Sequence, residues 1–255
     1  MILTSDYHTH TVYSHGKGSI LDNARSAQEV GLKEIGISDH GFSHPAFGLR
    51  ASKVPKMKEE CKLATEQTGV KVLMGIESNL IGTDGKVDLK PSRYDDFDVF
   101  LVGFHKFVLF KPKTIFSLFI PDLFHTYIGK PAKWVIKENT KAFVNAIKNN
   151  PIDVITHLNY YCFADVSEVA KVATDYGTYI ELNAKKTHFT DQEIDALLKT
   201  DVRFVINSDA HAPKRVGEIS LVEKLVERTN FPLDRIDNID GRLPKMRFKA
   251  FKERG

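Results

Sequence analysis

Three histidines lie close together near the start of the chain, in the segment SDYHTHTVYSH (residues 5–15). One residue separates His8 from His10, and His15 follows shortly afterwards. Because alternate residues of a β-strand point to the same face, His8 and His10 can present their imidazoles side by side. A buried hydrogen-bonded cluster, an incidental polar surface and a metal site are the three interpretations. A lone histidine is usually structural, so the rest of the sequence must decide among them.

Other histidines and carboxylates stand at the ends of short apolar runs. Seven residues share this position: Asp39, His40, Glu77, His105, His157, Asp209 and His211. Burying so many polar side chains together is costly, and metal ions offset that cost by supplying positive charge and taking up lone pairs. With Asp39 set aside, nine ligand-type residues remain, counting the three near the N-terminus, and these are too many for one cation. The pattern predicts two or three ions of zinc, manganese or iron, which imidazole and carboxylate ligands suit.

The apolar runs are predicted to be buried β-strands, since they are brief and rich in Ile and Val. They cover residues 34–40, 71–81, 98–105, 152–158, 179–184 and 203–211, with a weaker first strand in 2–10. Segments with helical apolar spacing lie between them, at 19–31, 53–69, 133–150, 166–177, 191–200 and 216–230. This alternation predicts an α/β fold with a parallel sheet, and about seven units predict a distorted (β/α)7 barrel of the TIM type. Active sites of such barrels form at the carboxyl ends of the strands, where the histidines and carboxylates fall.

One segment interrupts this alternation. Residues 106–131 are rich in Phe and contain Pro112, Pro121 and Pro131. We expect a single domain over residues 1–255 in which this segment is an insertion. It could be a loop or short helix that packs on the barrel, a lid over the site, or a contact between subunits of a homo-oligomer.

Composition disfavours several classes of protein. The chain has 255 residues and a formal net charge of +3, so no strong attraction to nucleic acid or membranes is expected. Cys61 and Cys162 cannot form a disulfide framework, and the N-terminus lacks the basic and long apolar regions of a signal peptide. No apolar run approaches the roughly 20 residues of a membrane span. We therefore expect a cytoplasmic protein.

Six motifs occur in a fixed order: DYHTHTVYSHG, ISDH, GIESN, GFHK, THLNY and NSDAH. Together they resemble the PHP (polymerase and histidinol phosphatase) superfamily, and most closely its stand-alone phosphoesterases. The resemblance extends from His8 to His211 and across the alternating strands and helices. It implies a distorted (β/α)7 barrel that holds a trinuclear metal centre.

The resemblance also implies which residues bind each ion. The implied ligands of the first ion are His8, His10, Glu77 and Asp209. Glu77 would bridge to the second ion, whose further ligands would be His105 and His157, and the third ion would take His15, His40 and His211. Glu77 and Asp209 would thus act in catalysis through the metals, while Asp39 would orient a ligand without touching an ion. Glu181 and Asn183 could support the ligands or be structural, and His44, His125 and His188 are expected on the surface or in loops.

The implied reaction is hydrolysis of a small phosphomonoester, histidinol phosphate or a related compound, by a metal-bound hydroxide. A covalent route would need an activated Ser, Cys or Asp, and no GxSxG or comparable motif is present. The alternatives are a phosphodiesterase or nuclease acting on nucleic acid or nucleotides, and a non-catalytic metal-binding module. The weakly basic composition disfavours the nuclease, and the complete ligand set disfavours the module. Lys214, Arg215 and Arg50 could bind the substrate phosphate, although cations in loops are usually only solvated.

Overall fold

The computed structural model describes residues 1–106, 108–109, 114–128, 131–186 and 188–254. Within these ranges, seven parallel strands pair in the order in which they follow one another along the chain. They are β1 (Ser5–Thr9), β2 (Glu34–Ile37), β3 (Lys71–Asn79), β4 (Val99–Gly103), β5 (Val154–Ile155), β6 (Tyr179–Asn183) and β7 (Phe204–Asn207). The predicted (β/α)7 fold is thereby confirmed, and each predicted strand contains one of these seven.

The first and last strands meet at their carboxyl ends. Thr9 forms a parallel bridge with Ala210, and the backbone N–H of His10 donates to the Ala210 carbonyl over 2.8 Å. The register of β1 against β2 also shifts between Asp6 and Thr9, as at a β-bulge. Bulges re-aim side chains beside active sites, and this shift spans Tyr7 and His8. The sheet is therefore a nearly closed barrel whose seam carries the first histidines.

The helices of the described residues surround this barrel. They are α1 (Ile20–Glu29), α2 (Val54–Thr68), α3 (Ile120–Ile128), α4 (Lys133–Asn149), α5 (Val166–Tyr176), α6 (Asp191–Leu198), α7 (Ser220–Thr229) and α8 (Arg247–Lys252). Capping boxes begin α1 and α6, and α2 and α5 end at Gly69 and Gly177, both with positive φ. Local capping chemistry of this kind makes helix boundaries predictable from sequence. The six-residue α8 was not predicted, because it is too short to show a helical period of apolar residues.

The barrel interior combines an apolar cluster with inward carboxylates. Tyr7, Val99, Leu101, Val154, Tyr179 and Val205 pack together, apart from the larger core between strands and helices. Glu77 pairs in register with Leu101, and Glu181 pairs with Val205. Because paired residues of neighbouring strands point to the same face, both carboxylates also face the interior. An apolar layer thus supports a polar one inside the barrel.

The Phe-rich segment is only partly described, since residues 107, 110–113 and 129–130 lie outside the ranges given above. Its described part contains a π-helical turn, Ile115–Phe119, that continues into α3. Phe119 packs against the core, whereas Phe116, Ile120 and Phe124 are exposed. No helix among the described residues is long and apolar enough to cross a membrane.

Candidate metal centre

Glu77, late in β3, lies at the centre of a cluster of histidines. Its side chain is fully buried, and five imidazoles approach its two oxygens. The nitrogen-to-oxygen distances are 3.2 Å from His8, 3.7 Å from His10, 3.0 Å from His40, 3.3 Å from His105 and 2.7 Å from His157. The histidines come from the ends of four different strands and Glu77 from a fifth, so the closure of the barrel assembles them.

Asp209 is a second buried carboxylate beside Glu77. Its Oδ1 lies 3.2 Å from His211 Nδ1, 3.5 Å from His10 Nε2 and 3.9 Å from His8 Nε2. The backbone of Asp209 has a φ of 49°, in the left-handed region that is costly for residues other than glycine. Such backbone strain persists where the surrounding structure enforces it, and it often occurs at functional sites.

Four groups of three residues bring their ligand atoms within 4.8 Å of one another. The groups are His8–His10–Asp209, His8–Glu77–His157, His40–Glu77–His105 and His10–His40–His211. His15 belongs to none of them, but its ring lies 4.8 Å from His40 and 4.2 Å from His211, measured between centroids. All nine residues that the sequence singles out as ligands are therefore gathered in one place.

Asp39 lies behind the cluster and holds the loop that carries His15. Its carboxylate accepts hydrogen bonds from the Thr11 N–H at 2.7 Å, the Thr11 hydroxyl at 2.6 Å and the Ser14 hydroxyl at 2.5 Å. Burial raises the pKa of Asp39, although these donors oppose the shift. The contacts suit a residue that positions ligands.

Two further polar residues fix the orientation of ligand histidines. Glu181 Oε1 lies 2.8 Å from His8 Nδ1, and Asn79 Oδ1 lies 2.8 Å from His105 Nδ1. When Nδ1–H donates to such an oxygen, the Nε2 lone pair faces the cluster. The sequence leaves Glu181 open between a supporting and a structural role, and the contact with His8 favours support. Asn79 was not predicted, although it follows Glu77 by two residues in β3 and therefore points to the same face.

Gly103, in the motif GFHK, is needed for close packing beneath the cluster. A Cβ at this position would lie 2.7 Å from His157 Cε1 and 2.4 Å from Thr156 Oγ1. Real Cβ atoms do not tolerate such contacts. The sequence contains no local signal for this requirement, because only the approach of β5 to β4 excludes a side chain at Gly103.

The pKa values of the cluster are strongly coupled. Burial opposes a charged imidazole at His8, but the carboxylates of Glu77 and Glu181 outweigh it and raise the His8 pKa well above its usual value. Burial and the neighbouring His40 hold the pKa of His10 well below its usual value. The pKa of Glu77 is well below its usual range, because surrounding imidazoles overcome the effect of burial. Glu77 is thus held ionised among imidazoles that differ in their affinity for protons, and a cation bound at His8 would have to displace the proton of that ring.

Several polar atoms of the cluster are buried without a hydrogen-bond partner. They are His8 Nε2, both ring nitrogens of His10, His40 Nδ1, His157 Nδ1 and Glu77 Oε2. A buried polar atom left unpaired costs about 1–3 kcal/mol. The donor set and these unpaired atoms fit divalent cations with a preference for nitrogen and oxygen ligands.

A half-open cavity of about 210 Å³ lies over the cluster. Its lining includes Lys106, Lys185, Tyr160, His44 and Phe47, besides members of the cluster. His44 lies in the loop between β2 and α2 and forms part of the wall of the site. His188 is close as well, with its ring 6.0 Å from that of His157. His125 is in α3, but its side chain is outside what the structure describes.

The cations that line the cavity differ from those that the sequence analysis named. Lys214, Arg215 and Arg50 are not among the lining residues. Arg50 and Lys214 are exposed, and Arg215 forms an ion pair with Glu218 three residues later. Lys106 directly follows His105, and Lys185 follows β6 by two residues. Lys214 also lies shortly after a strand, so this position is a signal but does not distinguish the lysines that line the cavity from the one that does not.

A parallel βα barrel with buried histidines and carboxylates at the carboxyl ends of its strands suits a metal-dependent hydrolase. The family model for the PHP domain matches residues 6–185. The chain belongs to the PHP family.

Several known proteins are similar to this chain. A probable phosphatase of Caldanaerobacter subterraneus is 29% identical, over 92% of this chain and 87% of its own length. A probable phosphatase of Clostridium acetobutylicum is 26% identical, over 92% of this chain and 90% of its own length. The solved histidinol phosphate phosphatase of Lactococcus lactis, in complex with zinc, L-histidinol and phosphate, superposes with a TM-score of 0.63. The two proteins are 14% identical, over 91% of this chain and 95% of the Lactococcus chain. At this low identity, the comparison shows a shared fold.

Proposed function

We propose that this protein is a phosphatase that hydrolyses a small phosphomonoester with three divalent cations bound at the Glu77 cluster. The observation that carries the proposal is the set of buried, unpaired nitrogen and oxygen atoms gathered around Glu77 and Asp209. Membership of the PHP family and the likeness to probable phosphatases support the same conclusion.

Nine residues would hold the ions: His8, His10, His15, His40, Glu77, His105, His157, Asp209 and His211. The four compact groups of ligand atoms support a multinuclear centre, because His8, His10, His40 and Glu77 each belong to two of them. Glu77 would be shared between two ions, since its Oε1 faces His8 and His157 while its Oε2 faces His40 and His105. Zinc in the similar Lactococcus structure favours zinc over manganese or iron.

Bound divalent cations supply Lewis acidity, which lowers the pKa of a water nucleophile and offsets charge on a phosphate. The chain contributes the positions of the ligands. Glu181 orients His8, Asn79 orients His105, and Asp39 anchors the loop of His15. Lys185, whose Nζ lies 3.2 Å from Asp209 Oδ1, can reach an anion bound beside that carboxylate.

The size of the cavity supports a small substrate. At about 210 Å³ it lies below the range of 300–1,000 Å³ that is usual for drug-sized ligands. The Lactococcus protein was solved with L-histidinol and phosphate, which supports a small phosphorylated compound here too. Nucleic acid is the less favoured substrate, and we expect the protein to act in the cytoplasm.

The test is a comparison of metal content with hydrolysis. Protein purified without chelator is expected to contain two to three zinc, manganese or iron ions per chain and to hydrolyse p-nitrophenyl phosphate. Chelator should abolish this activity, and added zinc or manganese should restore it. Activity that persists after complete removal of metal would refute the proposal, and a strong preference for bis(p-nitrophenyl) phosphate would favour the phosphodiesterase instead.

A further inference from the structure

The cavity wall formed by the loops after β4, β5 and β6 is cationic and aromatic. Lys106, Lys185 and Tyr160 line the cavity. Lys186 adjoins this wall without lining the cavity itself, because its Nζ lies 4.6 Å from the centroid of the Tyr160 ring. Glu77 and Asp209 are the only carboxylates among the described lining residues, and both belong to the proposed metal centre. Beyond the metals, this wall therefore presents positive charge to a substrate.

The lysines are held in place by two tyrosines. Lys106 Nζ lies 3.6 Å from the centroid of the Tyr161 ring, and the rings of Tyr160 and Tyr161 are 3.8 Å apart. The Tyr160 hydroxyl donates a hydrogen bond to the Tyr161 hydroxyl at 2.7 Å. A cation–π contact fixes the position of an ammonium group but leaves its charge in place. The two tyrosines thus act as a platform for cations.

The loop that carries this platform has an unusual backbone. Asn159 and Tyr161 both have a positive φ, of 70° and 66°. The Asn159 side chain secures this conformation, because its Oδ1 accepts from the Ala164 N–H at 2.8 Å and its Nδ2 donates to Glu193 Oε1 at 2.5 Å. Backbone strain that surrounding contacts maintain beside a cavity is typical of functional sites, so this loop conformation is expected to serve the site.

On the basis of the proposed phosphatase function, we propose that this wall binds the leaving group and selects one that carries a second negative charge. The scissile phosphate would occupy the metal centre, so the rest of the substrate would extend towards Lys106 and Lys186. A carboxylate or a second phosphate there would be attracted by both ammonium groups. A leaving group with an amine, such as L-histidinol, would be repelled. The favoured substrates are therefore phosphomonoesters with an anionic leaving group.

The test uses three aryl phosphates that differ in the charge of one para substituent: carboxylate, methyl or aminomethyl. We expect kcat/KM to be highest for the carboxylate and lowest for the aminomethyl ester, with a ratio of about tenfold between these two for partly exposed charge pairs. In the variant Lys106→Met/Lys186→Met the ratio should fall towards one, because both ammonium charges are removed. Methionine keeps much of the apolar stem of lysine, so the packing on the tyrosines should persist. Lys249→Met is the matched control, because Lys249 is exposed on α8 at the other end of the barrel, and its ratio should stay unchanged.

The outcomes separate this inference from the proposed function. Equal kcat/KM values for the three esters, or a ratio unaltered in the double variant, would overturn the anionic preference and leave the phosphatase intact. Metal-dependent hydrolysis of none of the three would overturn the phosphatase and the inference with it. High salt should lower the wild-type ratio, because screening weakens the attraction between exposed charges.

Discussion

Replacement of Glu77 by Gln is the most direct test of the metal centre. The substitution keeps the size of the side chain but removes the single negative charge that five imidazoles surround. It also replaces the carboxylate that would bridge two cations by a neutral amide. Metal occupancy and turnover should therefore fall together.

The magnitude follows from the burial of Glu77 and its short distances to its neighbours. Two unit charges 4 Å apart interact by about 4 kcal/mol at an effective dielectric constant of 20. The Gln amide oxygen can still act as a neutral ligand, so only part of this energy is lost. A loss of about 2.7 kcal/mol corresponds to a hundredfold lower rate, and we expect at least this reduction in kcat/KM.

The assay measures kcat/KM for p-nitrophenyl phosphate and the metal content of the same preparation. Glu34→Gln is the matched control, because it makes the same chemical change at the amino end of the barrel. There Glu34 accepts hydrogen bonds from the Tyr7 hydroxyl at 2.8 Å and Lys71 Nζ at 2.7 Å. Far-ultraviolet circular dichroism should be unchanged in Glu77→Gln, since the apolar layer of the barrel remains. Near-normal turnover and metal content in Glu77→Gln would refute the central role of this residue.

Four further predictions concern the surroundings of the cluster and the fold. Glu181→Gln should lower metal affinity by about 10–100-fold, because Glu181 orients His8, and unchanged affinity in a metal titration would contradict this. Gly103→Ala should displace His157 and reduce activity far more than it reduces helicity. Chelation should lower the melting temperature, measured by thermal scanning, since buried atoms would lose their partners. Burial raises the pKa of Asp153 to about 7, so its contribution to stability is complete below about pH 4 and is lost as pH rises through about 7. Between about pH 4 and pH 7, the free energy of unfolding of the wild type should therefore fall relative to that of Asp153→Asn by about 1.4 kcal/mol per pH unit, measured by urea unfolding. A difference between the two proteins that does not change with pH would contradict the raised pKa.

The sequence by itself determined the elements of the fold and the membership of the cluster. His8 with His10, and Asp209 with His211, have a spacing that strand geometry alone converts into a shared direction. Strand ends and helix caps are local features, so the order of elements placed Glu77 and the other ligand-type residues at one face. Closure of a parallel barrel then brings these residues together whatever the details of packing.

Tertiary structure alone decided that Asn79 and Gly103 support the ligands, and which cations reach the cavity. The contact of Asn79 with His105 depends on how β3 and β4 are staggered, and the need for Gly103 depends on how closely β5 approaches. Lys106 lines the cavity whereas Lys214 does not, although each follows closely after a histidine of the cluster. The path of each loop after its strand sets this difference. That path results from contacts between residues far apart in the chain, which spacing along the sequence does not encode.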